Sequence, residues 1–187
     1  MAEQDSARYH AAAKRQSRQV MSRKDQNAMQ TKPGTLKATA YHEAGHAMAA
    51  WQLEIPLGKG KHVLSIVTDG SAQGHCQYKN MLSCHNIDVS PTGGDRLKME
   101  RMAIVKLAGL VAQRRHRPSS LRSWQGSSDF HSAVGLVSCF TGSDRETEAY
   151  LNLLQIRAEQ IIDRPHVWEC VEALASTLLE RKDPFRN

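Results

Sequence analysis

The stretch Thr39–Ala47 reads TAYHEAGHA and contains the pattern H-E-x-x-H, formed by His42, Glu43 and His46. The residues around this pattern are rich in alanine and predict a helix. On a helix, residues four positions apart lie on one face, one turn from each other, so both imidazoles can reach one metal ion. The motif therefore predicts a metal site built on this helix.

Imidazole nitrogens at this spacing suit Zn²⁺, which they bind at about 2.0–2.1 Å. Glu43 lies beside the two histidines and is placed to accept a proton from a water at the metal, rather than to bind the metal itself. The alternative interpretation is a surface helix with two solvated histidines. We predict Zn²⁺ as the cofactor, with His42 and His46 as ligands and Glu43 as the catalytic general base.

A catalytic zinc needs a third protein ligand and an open position. Composition does not choose among the downstream candidates, which are His75, His85, His116, His131, Asp95, Glu100 and Asp129. Asp129 has one local argument, because it lies in the first turn of a predicted helix, where the helix dipole favours a carboxylate. The same position equally suits an aspartate that only caps the helix. His131 points away from Asp129 on such a helix and is expected at the surface.

The rest of the sequence predicts a small β element followed by helices. His62–Thr68 (HVLSIVT) alternates and is rich in β-branched residues, which is typical of a strand, and Gly74–Tyr78 predicts a second short one. Capping residues and apolar spacing predict one helix from near Leu36 to before Pro56, and others over Asp95–Arg115, Asp129–Phe140, Glu146–Ile162 and Pro165 to about Leu179. The expected fold is mainly α-helical (α+β).

Apolar residues make up 40% of the chain but aromatic residues only 5%, so the core must consist largely of Ala, Leu, Ile, Val and Met. The tryptophans are expected to pack against the protein rather than to serve as stacking platforms for a ligand. The helix Glu146–Ile162 offers further core candidates: Tyr150, Leu153, Leu154, Ile156 and Ile161.

The charge of the 187-residue chain is uneven, and its length indicates one domain with a tail. The formal net charge is +6, and residues 1–37 hold eight basic residues against three acidic ones. We expect a basic polar extension over residues 1–34, ended by the break Pro33-Gly34, and a metallopeptidase-type domain over residues 35–187. A solvated, partly disordered tail is one interpretation, and contact with nucleic acid or an anionic membrane is another.

The four cysteines include no C-x-x-C pair, which argues against a thiolate zinc site and is typical of a reduced, cytoplasmic protein. No N-terminal stretch resembles a signal peptide. The most apolar stretch, Ala103–Ala112, is too short to cross a bilayer, which takes about 20 residues. We therefore expect no membrane span.

Four segments resemble the FtsH family of membrane-anchored AAA proteases, in the order found in that family. Thr39–Ala47 is similar to its zinc-site helix, and Ser65–Gly74 to its strand and turn beside the active site. Ala108–Gln113 is similar to its Gly-Arg-Ala-Ala-Glu segment. Gly126–Ala133 is similar to its Gly-Ala-Ser/Ala-Asn/Asp-Asp-Leu/Ile-x-x-Ala stretch, whose Asp before the apolar residue binds zinc.

The resemblance covers residues 35–181 and implies a zincin fold like the FtsH peptidase domain. It implies that Asp129 is the third zinc ligand and that the chain is a metalloendopeptidase acting on flexible or unfolded polypeptides. It also places the strand His62–Thr68 beside the zinc, where its edge can pair with an extended peptide substrate. The predicted substrate-binding residues are Ser65, Ile66, Val67 and Thr68, and an ordinary edge strand is the alternative.

The chain departs from the family pattern in several places. Gln113 stands where the family usually has Glu, and Leu110 where it has the basic residue. The sequence contains no G-x-x-x-x-G-K-[ST] phosphate loop, so ATP-driven unfolding is not expected of it. A separate ATPase partner and a homo-oligomer are both compatible with the sequence. The alternative functions are an inactive peptidase-fold adaptor that binds peptides or protein partners, and a nucleic-acid-associated protein, although no strong nucleic-acid signal is present.

Overall fold

A computed structural model describes residues 33–59, 63–66, 74–82, 92–120 and 127–181. Within these ranges the chain forms helices α1 (Pro33–Gln52), α2 (Gly93–His116), α3 (Ser128–Ser138), α4 (Asp144–Ile162) and α5 (Pro165–Glu180), with a short 3-10 turn at Pro118–Ser120. Strands β1 (Leu64–Ser65) and β2 (His75–Cys76) lie between α1 and α2 in the chain. The prediction of a mainly helical fold with a small β element is confirmed. The predicted basic extension lies outside the described residues, apart from its last two positions.

The helix starts follow from local capping chemistry. Thr92 and Asp95 form a reciprocal capping box at the start of α2, in which each side chain bonds the backbone of the other residue. The Ser127 side chain accepts a hydrogen bond from the Phe130 amide and caps the start of α3. The predicted start of the first helix near Leu36 is wrong, because α1 already includes Pro33 and Gly34.

The sheet is antiparallel, with Leu64 opposite Cys76 and Ser65 opposite His75. Beyond it, the chain that follows α1 pairs with the chain that follows β2, because the Gly58 amide donates to the Gln77 carbonyl at 2.8 Å. The Lys79 amide likewise donates to the Pro56 carbonyl at 2.8 Å. These pairings hold β2 and residues 77–79 alongside the loop 56–59, next to α2.

The core lies mainly between α1, α2, α4 and α5 and consists of Ala, Val, Leu, Ile and Met, with Tyr41 as its buried aromatic residue. Small residues let α1 and α2 pack very closely. A Cβ atom placed on Gly45 would lie 2.6 Å from the Ala112 Cβ and 2.7 Å from the Ala108 carbonyl oxygen. Only a residue without a side chain fits there, and this close packing brings the His42–His46 turn of α1 against α2.

We expect Gly45→Ala to lower the free energy of unfolding by about 1–3 kcal/mol or more, because the added methyl group would clash with the backbone of α2, which can move only if the two helices shift apart. Gly135→Ala in α3 is the matched control, since a Cβ there meets nothing within 4 Å. The control should raise the free energy of unfolding by about 0.5–1 kcal/mol, the usual gain when alanine replaces glycine inside a helix. Urea denaturation of both variants measures the difference. Equal effects of the two substitutions would contradict the proposed helix contact.

Three predictions of core residues are wrong. Trp51 is 63% exposed, and Leu153 and Ile156 on α4 are also exposed. Trp168 does pack against the protein, with its ring 5.7 Å from that of Tyr41 and 4.1 Å from the Arg115 guanidinium. No helix in the described ranges is long and apolar enough to span a bilayer.

Candidate metal centre

His42, His46 and Asp129 converge at one point between α1 and the first turn of α3. The Asp129 Oδ2 lies 3.0 Å from the His42 Nε2 and 3.2 Å from the His46 Nε2. The two Nε2 atoms lie 3.0 Å apart, and the imidazole rings are nearly perpendicular. In the described part of the chain, these three residues form the group that could hold a metal ion.

The hydrogen bonding of His46 fixes which of its nitrogens faces the centre. The His46 Nδ1 donates to the Val105 carbonyl of α2 at 2.7 Å, so a neutral His46 presents the lone pair of its Nε2 to Asp129. A cavity for the ring exists because residue 109 is glycine: a Cβ atom there would lie 2.5 Å from the His46 Nε2. α2 therefore supplies both the orientation of this imidazole and the space that it fills.

The donor set fits a metal ion. A lone pair of His46 and the lone pairs of the Asp129 carboxylate face each other at 3.2 Å, an arrangement that a cation between them would relieve. Ligand atoms around a tetrahedral zinc lie about 3.3 Å apart, as follows from bond lengths of about 2.0–2.1 Å. The observed separations of 3.0–3.2 Å between the three atoms are close to that value. The His42 Nδ1 is buried and has no hydrogen-bond partner among the described residues.

Lys106 is part of the centre although the sequence did not indicate it. Its Nζ donates to the Asp129 Oδ1 at 3.0 Å, while the other oxygen of the same carboxylate faces the histidines. In the sequence, Lys106 interrupts the apolar stretch Ala103–Ala112. A single lysine inside an apolar helical stretch indicates a partly buried ion pair, because a partly buried cation is stabilised by a carboxylate partner.

Burial alone would raise the pKa of Asp129, but its hydrogen bond with the His42 imidazole and the charge of Lys106 outweigh this effect. The pKa of Asp129 is therefore held well below its usual range, and the carboxyl group is ionised. An ionised carboxylate is the form that binds a metal.

Glu43 lies beside the three converging residues and is buried. A Cβ atom on Gly74, just before β2, would lie 2.9 Å from the Glu43 Oε1, so the carboxylate is enclosed between α1 and the start of β2. Burial raises the pKa of Glu43 to about 7, although the nearby His42 and Lys106 act to lower it. A cation bound beside Glu43 would act to lower this pKa.

The other candidate ligands lie elsewhere or are engaged elsewhere. Asp95 belongs to the capping box of α2, and Glu100 accepts hydrogen bonds from Arg96, Tyr150 and Arg157. His131 is exposed, as predicted, and its Nδ1 lies 2.8 Å from the Ser127 carbonyl.

The other three candidate histidines do not take part in the centre within the described residues. The His116 ring stacks on Tyr41 at a centroid distance of 3.7 Å, and His75 lies in β2. His85 lies outside the described residues.

Of the predicted substrate-binding residues, Ser65 ends β1 and Ile66 is buried directly after it. Val67 and Thr68 lie outside the described residues. β1 has β2 on one side and is an edge strand of the two-stranded sheet that the described residues form.

The described residues thus form a mainly α-helical fold with a candidate metal site made of two histidines and one carboxylate. Comparisons with protein-family models, with curated proteins and with solved structures found no match for the chain. Membership of the FtsH family therefore stays a prediction that rests on the four sequence segments.

Proposed function

We propose that this chain is a zinc-dependent metalloendopeptidase that hydrolyses peptide bonds in flexible or unfolded polypeptides. The observation that carries the proposal is the convergence of His42, His46 and Asp129 within hydrogen-bonding distance, with the buried carboxylate of Glu43 beside them. Two imidazoles and one carboxylate form a donor set that suits Zn²⁺ and leaves its fourth position open. His42 and Asp129 are each about one-sixth exposed at the side chain, which leaves the centre accessible from outside.

In this proposal His42, His46 and Asp129 hold the zinc. When bound, Zn²⁺ polarises the scissile carbonyl and acidifies a neighbouring water. Glu43 accepts the proton of the attacking water on a carboxylate oxygen as the new C–O bond forms. It then passes this proton to the leaving amine as the C–N bond breaks. His46 keeps its orientation throughout because its Nδ1 donates to the Val105 carbonyl.

An extended substrate would lie along β1 and pair through its main chain with Ser65 and the residues that follow. Edge pairing gives affinity without a requirement for particular side chains, which suits a peptidase of unfolded segments. Such pairing requires that the substrate segment be unfolded. A separate ATPase would supply this step for folded substrates, and a homo-oligomer is compatible with the same scheme.

The test is cleavage of fluorescently labelled casein by purified protein, with metal content measured on the same sample. We expect about one zinc per chain. We also expect slow cleavage that a chelator abolishes and that added zinc restores, with no effect of ATP. A tightly folded protein should resist cleavage under the same conditions. Cleavage that persists after complete removal of the metal would contradict the proposal, and full zinc occupancy without cleavage would favour the peptide-binding adaptor.

A further inference from the structure

A pocket of about 820 Å³ adjoins the candidate metal centre. Its walls are the loop after α1, the chain from Cys76 to Asn80, and α2 at Met102 and Lys106. Its volume falls in the range of small-molecule and cofactor sites, about 300–1,000 Å³. We call it the lysine pocket, because Lys59, Lys79 and Lys106 line it.

The charge of the lysine pocket is positive. Its charged lining residues, within the described chain, are these three lysines, and no carboxylate lines it there. Lys106 pairs with Asp129, whereas Lys59 and Lys79 form no ion pair with any described residue. The pocket therefore holds two ammonium groups whose charge the described protein does not balance.

The pocket is continuous with the groups of the proposed reaction. Lys106, which lines the pocket, donates a hydrogen bond to the carboxylate of Asp129. Gly74 abuts Glu43, and Cys76, two residues further along the same extended chain, lines the pocket. Two extended residues span about 6–7 Å, which is the separation along the chain between Gly74 at Glu43 and Cys76 at the pocket. If the scissile peptide bond lies at Glu43, a substrate side chain about two residues from that bond therefore comes within reach of the lysines.

Burial raises the pKa of Cys76 to about 12, and the charge of Glu43 acts in the same direction. The thiol of Cys76 is therefore neutral near neutral pH and does not offset the charge of the lysines.

We infer that the lysine pocket is a subsite for a carboxylate of the substrate peptide, located within about two residues of the scissile bond. This inference rests on the proposed peptidase function. The carboxylate can come from an Asp or Glu side chain or from the C-terminus of the peptide. An acidic residue near the bond increases affinity through charge-assisted contacts with ammonium groups. The proposed enzyme thus selects acidic segments by charge, and its main-chain pairing remains independent of sequence.

The experiment measures binding and does not require turnover. Zinc-loaded Glu43→Gln protein is titrated, by fluorescence anisotropy at low salt, with three unstructured peptides of otherwise identical sequence. The first contains Glu residues and an amidated C-terminus, the second has Gln in place of each Glu, and the third is the second with a free C-terminal carboxylate. We expect the Glu peptide to bind about 5- to 10-fold more tightly than the Gln peptide, with the difference falling as salt screens the charges.

The double substitution Lys59→Gln and Lys79→Gln, made in the same background, should reduce this ratio to near one. Lys37→Gln is the matched control, because Lys37 is an exposed lysine of α1 that does not line the pocket. It should keep the ratio. A gain in affinity with the third peptide alone would assign the pocket to the chain end rather than to an acidic side chain. Circular dichroism and zinc content confirm that each variant is folded and loaded.

Equal affinity for all three peptides, or a charge-dependent gain that survives the double substitution, would overturn the inference. The outcome is separable from that of the proposed function, because the binding protein lacks the general base. If the wild type cleaves casein but the peptides show no charge preference, the subsite alone is wrong. If the peptides bind in a charge-dependent way but the wild-type protein cleaves no substrate, the pocket is a peptide-binding site and the proposed peptidase activity is wrong.

Discussion

We expect the replacement of Glu43 with glutamine to leave zinc binding intact and to reduce the proposed peptide hydrolysis by on the order of 10²–10⁴-fold, the contribution typical of a positioned general base. The amide has nearly the shape of the carboxylate, so the enclosure by Gly74 and α1 is preserved. It can still hydrogen-bond a water but cannot take its proton. The substitution also removes a buried carboxylate, so no loss of folding is expected to confuse the result.

The measurement is kcat/KM on a quenched-fluorescence peptide, together with metal content of the same preparation. Glu148→Gln is the matched control, since Glu148 is an exposed glutamate on α4. It should keep full activity. Residual activity in Glu43→Gln above the expected range, at full zinc occupancy, would remove Glu43 from its proposed role. The same variant tests whether any observed cleavage comes from a contaminating protease.

Zinc affinity should fall on the order of 10- to 100-fold when Asp129 becomes asparagine, at least as much as on loss of a group that orients a ligand. The amide keeps the shape but removes the negative charge that faces both Nε2 atoms at 3.0 and 3.2 Å. Asp129→Ala should have a larger effect, and His42→Ala or His46→Ala should abolish stoichiometric binding. Competition with a chromogenic chelator measures each affinity.

His131→Ala provides the control for these variants, because His131 lies on the same helix two residues from Asp129 and is exposed. Its zinc affinity should stay close to that of the wild type. Unchanged affinity in Asp129→Asn would mean that another residue completes the site. Such a result would also remove the strongest argument for the FtsH-like assignment, since that resemblance pointed to Asp129.

Local patterns were sufficient for the helices and for the first two candidate ligands. The spacing of His42 and His46 predicts a shared face whatever the rest of the fold does, and the two Nε2 atoms do lie 3.0 Å apart. Asp129 could not be chosen in this way, because 82 residues separate it from His46 and only tertiary packing brings α3 to α1. Resemblance to a known family supplied that expectation, and the structure places the carboxylate beside both imidazoles.

The errors have physical causes. Leu153 and Leu154 are neighbours on α4 and point about 100° apart, so both cannot face the same core. Leu151, Leu154, Ala158 and Ile161 take the buried face, which leaves Leu153 and Ile156 outside. The ion pair of Lys106 could not be predicted from the sequence, because its partner Asp129 lies on another helix and an ion pair between helices has no local sequence pattern.

Hydrogen bonds within the chain orient two of the candidate ligands and the helix that carries one of them. His46 is held by the Val105 carbonyl, Asp129 by Lys106, and the start of α3 by the side chain of Ser127. Under the proposed function, zinc would bind to an already folded scaffold, in contrast to small zinc domains that unfold without their metal. By mass action, free zinc at a hundred times its dissociation constant adds about 2.7 kcal/mol to the stability of such a scaffold. Under the same proposal, loss of the metal would abolish activity and leave the chain folded, with His46 and Asp129 still oriented for a returning ion.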